Sequence, residues 1–235
     1  MISKTRMLEA IKELDWQTIA VGLDENPTLR DHRDPKGRDL FHLCCMVDPS
    51  RREKSPSASI KCASALLERG FDIDRAAFFE GDWRATPLWH AVGRSHNPKL
   101  VRFLLERGAE PNHCLFAAAF NDDSASIKRL VEFGAEIDPI VEQETPFLGA
   151  IKWSHFAAAK TLLSLGADVN FQDPHGMTAL HYMLKKGSAL EHFKMLIRFK
   201  PRGDLPDRSG NTAYAILQRK RSPVFRSLAA RLNSA

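Results

Sequence analysis

The sequence predicts an all-α solenoid in which short helix pairs stack side by side, and three observations predict it. A short phrase returns along the chain as Thr86-Pro87-Leu88-Trp89, Thr145-Pro146-Phe147-Leu148, Thr178-Ala179-Leu180-His181 and Asn211-Thr212-Ala213-Tyr214. It recurs in weaker form as Arg38-Asp39-Leu40-Phe41-His42, and His113-Cys114-Leu115-Phe116-Ala117-Ala118 keeps only its helix. Taking Asp39, Thr86, His113, Thr145, Thr178 and Thr212 as equivalent, the steps are 47, 27, 32, 33 and 34 residues, the period of a repeat architecture. Amphipathic runs close on glycine between the phrases, at Gly108, Gly134 and Gly166.

Each part of the phrase has a physical reason. Proline at the first helical position loses no hydrogen bond, because that N–H has no partner within the helix, and the preceding threonine can cap the free donors. Thr-Pro therefore starts a helix. Gly108 and Gly166 supply the left-handed residue that ends the second helix of a pair. One pair cannot bury its apolar face alone, whereas stacked neighbours bury Leu88, Leu104, Leu105, Leu162, Leu163, Leu180 and Leu196 continuously. Phrase, period and closing glycine together resemble the ankyrin repeat. The resemblance implies a helix-turn-helix unit followed by an extended finger such as Phe171-Gln172-Asp173-Pro174-His175-Gly176, and an ankyrin-repeat solenoid over the whole chain.

In chain order, residues 5–33 read as an N-terminal helical cap: Leu8, Ile11 and Leu14, then Trp16, Ile19, Ala20 and Leu23, recur at helical spacing before Pro27. Repeat 1 spans 34–73, opens on the turn Asp34-Pro35-Lys36-Gly37 and directs Leu40, Phe41, Leu43 and Cys44 inward. Its second helix, with Cys62, Ala63, Leu66 and Leu67, arrives about ten residues late, so the polar stretch 48–57 is expected as an inserted surface loop. Repeat 2 (74–108) has a long finger holding Phe78, Phe79 and Trp83. Repeat 3 (109–134) is short and leaves no room for a finger. Repeats 4 (135–166) and 5 (167–200) are regular, and 201–235 reads as a C-terminal capping repeat whose last helix opens at Pro223 and carries Phe225, Leu228 and Leu232.

Composition sets the outer limits. The 235 residues are 43% apolar and 27% charged, as in an ordinary folded protein. No stretch approaches the ~18 apolar residues of a membrane span, and the start lacks an apolar segment behind its charges. The expectation is a cytoplasmic monomer, with signal-less secretion left open. Cys44, Cys45, Cys62 and Cys114 form no Cys-x-x-Cys pair and read as buried reduced thiols. No cofactor or metal is expected, because no His or carboxylate cluster has ligand spacing, and the absence of a Gly-rich phosphate loop or a spaced nucleophile and base argues against an enzyme. Arg202-Gly203-Asp204, Arg52-Glu53-Lys54-Ser55-Pro56 and Arg219-Lys220-Arg221 match short recognition motifs that are common by chance.

The resemblance also implies where a partner would lie. In ankyrin proteins the fingers and inner helix faces form one concave groove. By that correspondence the groove takes Trp83, His175, Met177 and Arg208 from fingers, and Arg94, Phe120, Asn121, Lys152, Trp153, Lys185, Lys186, Arg219 and Lys220 from helices. It also gives His42 and His181 a structural role, hydrogen bonding to backbone across repeats, and His155 a structural place at its turn. Trp83, Phe120 and Trp153 fall on neighbouring repeats, and aromatic residues and arginine dominate binding hot spots. Residues 185–235 hold twelve Lys or Arg against Glu191, Asp204 and Asp207, a net +9 that leaves −4 for the rest of the chain. The basic end suits an acidic and apolar partner segment, or simply keeps that end of the chain in solution. The sequence thus points to a non-catalytic protein-binding module, with an inhibitor or immunity-type protein as the alternative. Nucleic-acid or acidic-lipid binding is a weaker reading, because no RNA-binding signature accompanies the charge.

Overall fold

The computed structural model describes residues 1–77, 79–80 and 83–232, with side chains throughout except at Phe79, Glu80 and Trp83. Phe78 and Asp82 of the expected long finger, and the side chain of Trp83, therefore lie outside the described residues. The chain divides into two compact units, one of Met1–Ala117 with Arg129–Ala135 and one of Ala118–Lys128 with Glu136–Ala235.

In the first unit, α1 (Lys4–Lys12), α3 (Leu40–Cys45) and α5 (Pro87–Arg94) pack in one row, and α2 (Trp16–Glu25), α4 (Pro56–Leu67) and α6 (Pro98–Glu106) in a second. The division runs through the pair α7 (Leu115–Phe120) and α8 (Ser124–Glu132). In the second unit, α9 (Pro146–Trp153), α11 (Ala179–Lys186) and α13 (Ala213–Gln218) form one row, and α10 (Phe156–Ser164), α12 (Leu190–Ile197) and α14 (Pro223–Leu232) the other. The long finger carries a minimal antiparallel hairpin, β1 (Phe79–Glu80) with β2 (Trp83–Arg84), a small departure from an all-helical chain.

The helix starts follow from their caps. The hydroxyl of Thr86 accepts from the Trp89 N–H, that of Thr145 from Leu148 and that of Thr212 from Ala215, at 3.1–3.2 Å. Asp39 takes the threonine's place before α3 and accepts from the Phe41 and His42 N–H groups. The ends follow from Gly70, Gly108, Gly134 and Gly166, all at positive φ. Leu88, Leu104, Leu105, Leu162, Leu163, Leu180 and Leu196 are all buried. Burial of each such side chain stabilises by about 1.5–3 kcal/mol, so the two-row arrangement is held by its seams.

Polar bonds tie each repeat to the next. In the first unit the Nε2 of His42 donates to the Arg75 carbonyl at 2.8 Å, and the Asp74 carboxylate accepts from the Glu110 N–H at 2.8 Å. In the second, His155 Nδ1 donates to the Ala119 carbonyl, Asp122 accepts from Ala158, Asp138 from Asp168, Asn170 from Arg202, and His181 Nε2 donates to Asn211. Burial raises the carboxyl groups of both Asp74 and Asp138 above the ordinary range.

The structure corrects several expectations. The buried face of α1 is Met7, Ala10 and Ile11, continued by Leu14, while Leu8 is only half-buried and Trp16 is exposed. Leu43 is likewise half-buried, and Cys45 takes its place in the core. Segment 48–57 is not a plain loop. Asp48 caps a 3-10 turn over Pro49–Arg52, Pro49 is buried, Arg52 pairs with Glu13, and α4 already begins at Pro56. Its polarity hid an ordered element, because a capping Asp and a turn Pro look the same in a loop as in a helix start.

Candidate interaction surface

The strip with most of the expected groove residues lies in the second unit and is organised by its fingers. Three fingers share one device, Asp-x-x-Gly-x. Asp173 Oδ1 accepts from the His175 and Met177 N–H groups, Gly176 turns back to the Asp173 carbonyl at positive φ, and the Asp173 N–H reaches the Met177 carbonyl. Asp207 repeats this with Ser209, Gly210 and Asn211, and Asp34 does so in the first unit with Lys36, Gly37 and Arg38. An aspartate that accepts two backbone donors fixes a tight finger without a strand partner.

Asp173 also accepts from the hydroxyl of Tyr182 on α11. Burial pushes Asp173 upward, but the Tyr182 hydroxyl and the two N–H groups outweigh it and hold the carboxyl below its usual range. Burial and the Asp173 bond both raise Tyr182. The Tyr182 ring in turn lies 4.8 Å below the Lys152 ammonium, which is ion-paired with Glu144. Burial works to lower Lys152, yet Glu144 dominates and raises it. Lys186 donates to the Lys152 carbonyl and to the Ser154 hydroxyl, the latter at 2.8 Å. Neither Lys152 nor Lys186 is the free cation that the sequence suggests.

Beside these lysines stand the aromatic residues. Phe120 ends α7 and Trp153 ends α9, and their rings meet edge to face at 5.0 Å with 57% and 37% exposure. His155 lies 6.1 Å from both rings. Gly149, one turn before Trp153, makes room for the indole: a Cβ there would meet its ring at 3.3 Å. Two rings this exposed leave much of their apolar surface in water.

At the other end of the strip, His175, Met177, Tyr182, Lys185, Asp207, Arg208 and Ser209 line a pocket of about 390 Å³. The structure thus brings His175, Met177, Lys185 and Arg208 together, with Tyr182 and Asp173 as residues that sequence reading missed. Their signal was the aspartate recurring at one offset in Asp34, Asp173 and Asp207. Asn121 is exposed next to Phe120, Arg219 caps the C-terminal end of α13 and Lys220 follows it. Arg94 ends α5 in the first unit and opens onto a separate pocket there. The Arg202 guanidinium pairs with Asp204 at 2.9 Å, so the Arg-Gly-Asp tripeptide closes on itself.

Comparison with known proteins agrees with the repeat geometry. A family model described as Ankyrin repeats (many copies) matches residues 147–197, and one described as Ankyrin repeat matches 83–114. The ankyrin repeat protein FPV022 of fowlpox virus is 36% identical over 143 residues, covering 58% of this chain and 23% of that protein. The phosphocholine transferase AnkX of Legionella pneumophila is 27% identical over 140 residues, covering 54% of this chain and 14% of the transferase. The chain spans about a quarter or less of the length of these curated relatives. Among solved structures, the human ASB11 ankyrin repeat domain superposes with a TM-score of 0.74 at 22% identity, over 98% of both chains. The ankyrin repeat domain of Bcl-3 gives 0.73 at 19% identity, over 95% of this chain and 97% of that one. The recurring Thr-Pro caps, the left-handed glycines, the histidine bonds between repeats and these matches make the chain a member of the ankyrin-repeat family.

Proposed function

We propose that the chain is a non-catalytic protein-binding module that holds a partner segment along the strip from Phe120 and Trp153 to His175, Met177, Lys185 and Arg208. Ankyrin repeats are generally protein-interaction modules, which supports the class. The observation that carries the placement is the exposed Phe120–Trp153 pair, continuous through Lys152 and Tyr182 with the finger pocket. Asn121, Lys186, Arg219 and Lys220 would extend the contact, and Trp83 and Arg94 are proposed contacts on the strength of their repeat positions. The partner segment is apolar where it meets the rings and acidic where it meets Lys185 and Arg208. A non-catalytic role fits the histidines, since His42, His155 and His181 each commit a ring nitrogen to a backbone carbonyl. Among the described residues no helix is long and apolar enough to cross a membrane.

The test is capture of partners on immobilised protein, comparing the native chain with Phe120→Ala/Trp153→Ala and with Lys160→Ala, at an exposed position of α10. A partner kept by the Lys160 variant and lost by the aromatic variant is the expected result. Equal retention by all three would overturn the placement.

A further inference from the structure

A pocket of the first unit has its own chemistry. It occupies about 1030 Å³ between α1, the 32–35 turn, the C-terminal ends of α3 and α5, and the 3-10 turn at Pro49–Arg52. Its apolar floor is Leu8 and Ile11 of α1 with Leu43, Met46 and Val47 beyond them. This explains why Leu8 and Leu43, which the helical periodicity assigned to the core, are only half-buried. Its rim carries Lys4, Lys12, Arg33, Arg51, Arg52 and Arg94.

Only two carboxylates line the same pocket, Asp34 and Asp48, so the six cations leave a net +4 with both lining histidines neutral. Asp34 is already held by Arg38 from outside the pocket at 2.6 Å, and Asp48 caps Ser50 and faces Arg51 at 3.4 Å. Arg52 and Lys12 face Glu13 and Glu9, while Lys4, Arg33 and Arg94 make no ion pair among the described residues. The C-terminal ends of α3 and α5 contribute about half a negative charge each, too little to reverse the sign. The positive potential is felt by His32, which burial and then Lys4 push below its ordinary value.

The geometry points to this pocket as a second binding site, for a short acidic peptide segment that seats one bulky apolar side chain on the floor and its carboxylates on the arginine and lysine rim. Guanidinium forks match carboxylates in shape as well as charge, and an aliphatic floor stabilises an apolar side chain by burial. A single-stranded nucleic acid would satisfy the rim, but no Phe, Trp or Tyr lines the pocket to stack a base. None of Phe120, Trp153, His175, Met177, Lys185 and Arg208 lines this pocket, and Arg94 alone is shared with the contacts proposed above, so the two readings can fail separately when Arg94 is left intact.

The test uses the full chain and a fluorescein-labelled peptide, Glu-Leu-Glu-Asp-Phe-Glu, followed by fluorescence polarisation at low and physiological salt. Saturable binding is expected, weakened at least tenfold in Lys4→Glu/Arg33→Glu and also when the peptide acids are replaced by Gln. Arg51→Glu, at a side chain 79% exposed on the 3-10 turn, keeps the test open if the double variant fails to fold, and it too should weaken binding. Trp153→Ala should bind the peptide normally. Binding unchanged by the rim substitutions, or lost in Trp153→Ala, would overturn the site. Tighter binding of a twelve-nucleotide single-stranded DNA than of the peptide would overturn the choice of ligand.

Discussion

Phe120 and Trp153 touch ring to ring at 5.0 Å and 83° although a whole helix pair boundary separates them in sequence, and both remain exposed. An edge-to-face pair contributes about 0.5–1.5 kcal/mol beyond its buried area. Single substitutions to Ala should therefore cost the fold little, and a double-mutant cycle in urea should return a coupling of that size. Binding of a partner should fall by about 2 kcal/mol or more in either single variant. Loss of stability without loss of binding would make the pair a packing contact only.

His90 is buried with neither ring nitrogen hydrogen-bonded, one position after the place where His42 and His181 make their repeat-to-repeat bonds. Burial first, then the neighbouring His42, Arg38 and Arg94, push it down to about 3, against Asp34. The folded state thus binds fewer protons than the unfolded one between about 6.5 and 3. Stability is present above that window and falls on acidification by roughly 1.4 kcal/mol per pH unit. His90→Leu removes the charge and two unbonded polar atoms, so it should raise stability at pH 5 more than at pH 7. Equal gains at both pH values would show that His90 does not titrate with unfolding.

Gly166 sits at φ +103 with open space where a Cβ would stand. Any cost of substitution is then backbone strain rather than collision. Gly166→Val should lower stability by about 1–3 kcal/mol, with Gly166→Ala at the low end. Equal stability of both variants and the native chain in chemical unfolding would contradict the left-handed helix end.

Excision of 49–54 tests the segment between α3 and α4. Loop-closure entropy alone makes shortening nearly neutral. Buried Pro49, the Asp48 cap and the Arg52–Glu13 pair instead predict a loss of about 1–3 kcal/mol. An unmoved unfolding midpoint would return the segment to a plain spacer.

Salt separates the two roles open to the basic end. If Lys185 and Arg208 steer an acidic partner, raising salt to physiological strength should slow association much more than it speeds dissociation. Unchanged association rates would leave those cations as solvated surface.

What the sequence revealed was local chemistry. Thr-Pro caps and closing glycines act within a few residues, so their roles could be read from spacing alone, while the bonds of His42 and His181 across repeats were implied only by the family resemblance. The facing of α1 could not: Met7 and Leu8 are both apolar, and only the packing of α1 against α2 and α3 decides that Met7 enters the core while Leu8 lines a pocket. Partner choice was equally hidden. Lys152 and Lys186 look like free groove cations until Glu144, Tyr182 and Ser154 are brought beside them from other segments. His90 escaped because Trp89 holds the position that histidine fills elsewhere.

All four thiols, Cys44, Cys45, Cys62 and Cys114, are buried in the first unit; a hydrogen bond with Cys62 and then burial raise Cys44, and burial raises Cys45 and Cys114, above the usual thiol range. A maleimide or aromatic disulfide reagent can reach them only when that unit opens, since a protonated sulfur inside the seam does not react. The native chain therefore carries its own clock for half of the molecule. Labelling rates in water would report the opening free energy of the first unit alone, while unit two, without a single cysteine, stays silent to the same reagent.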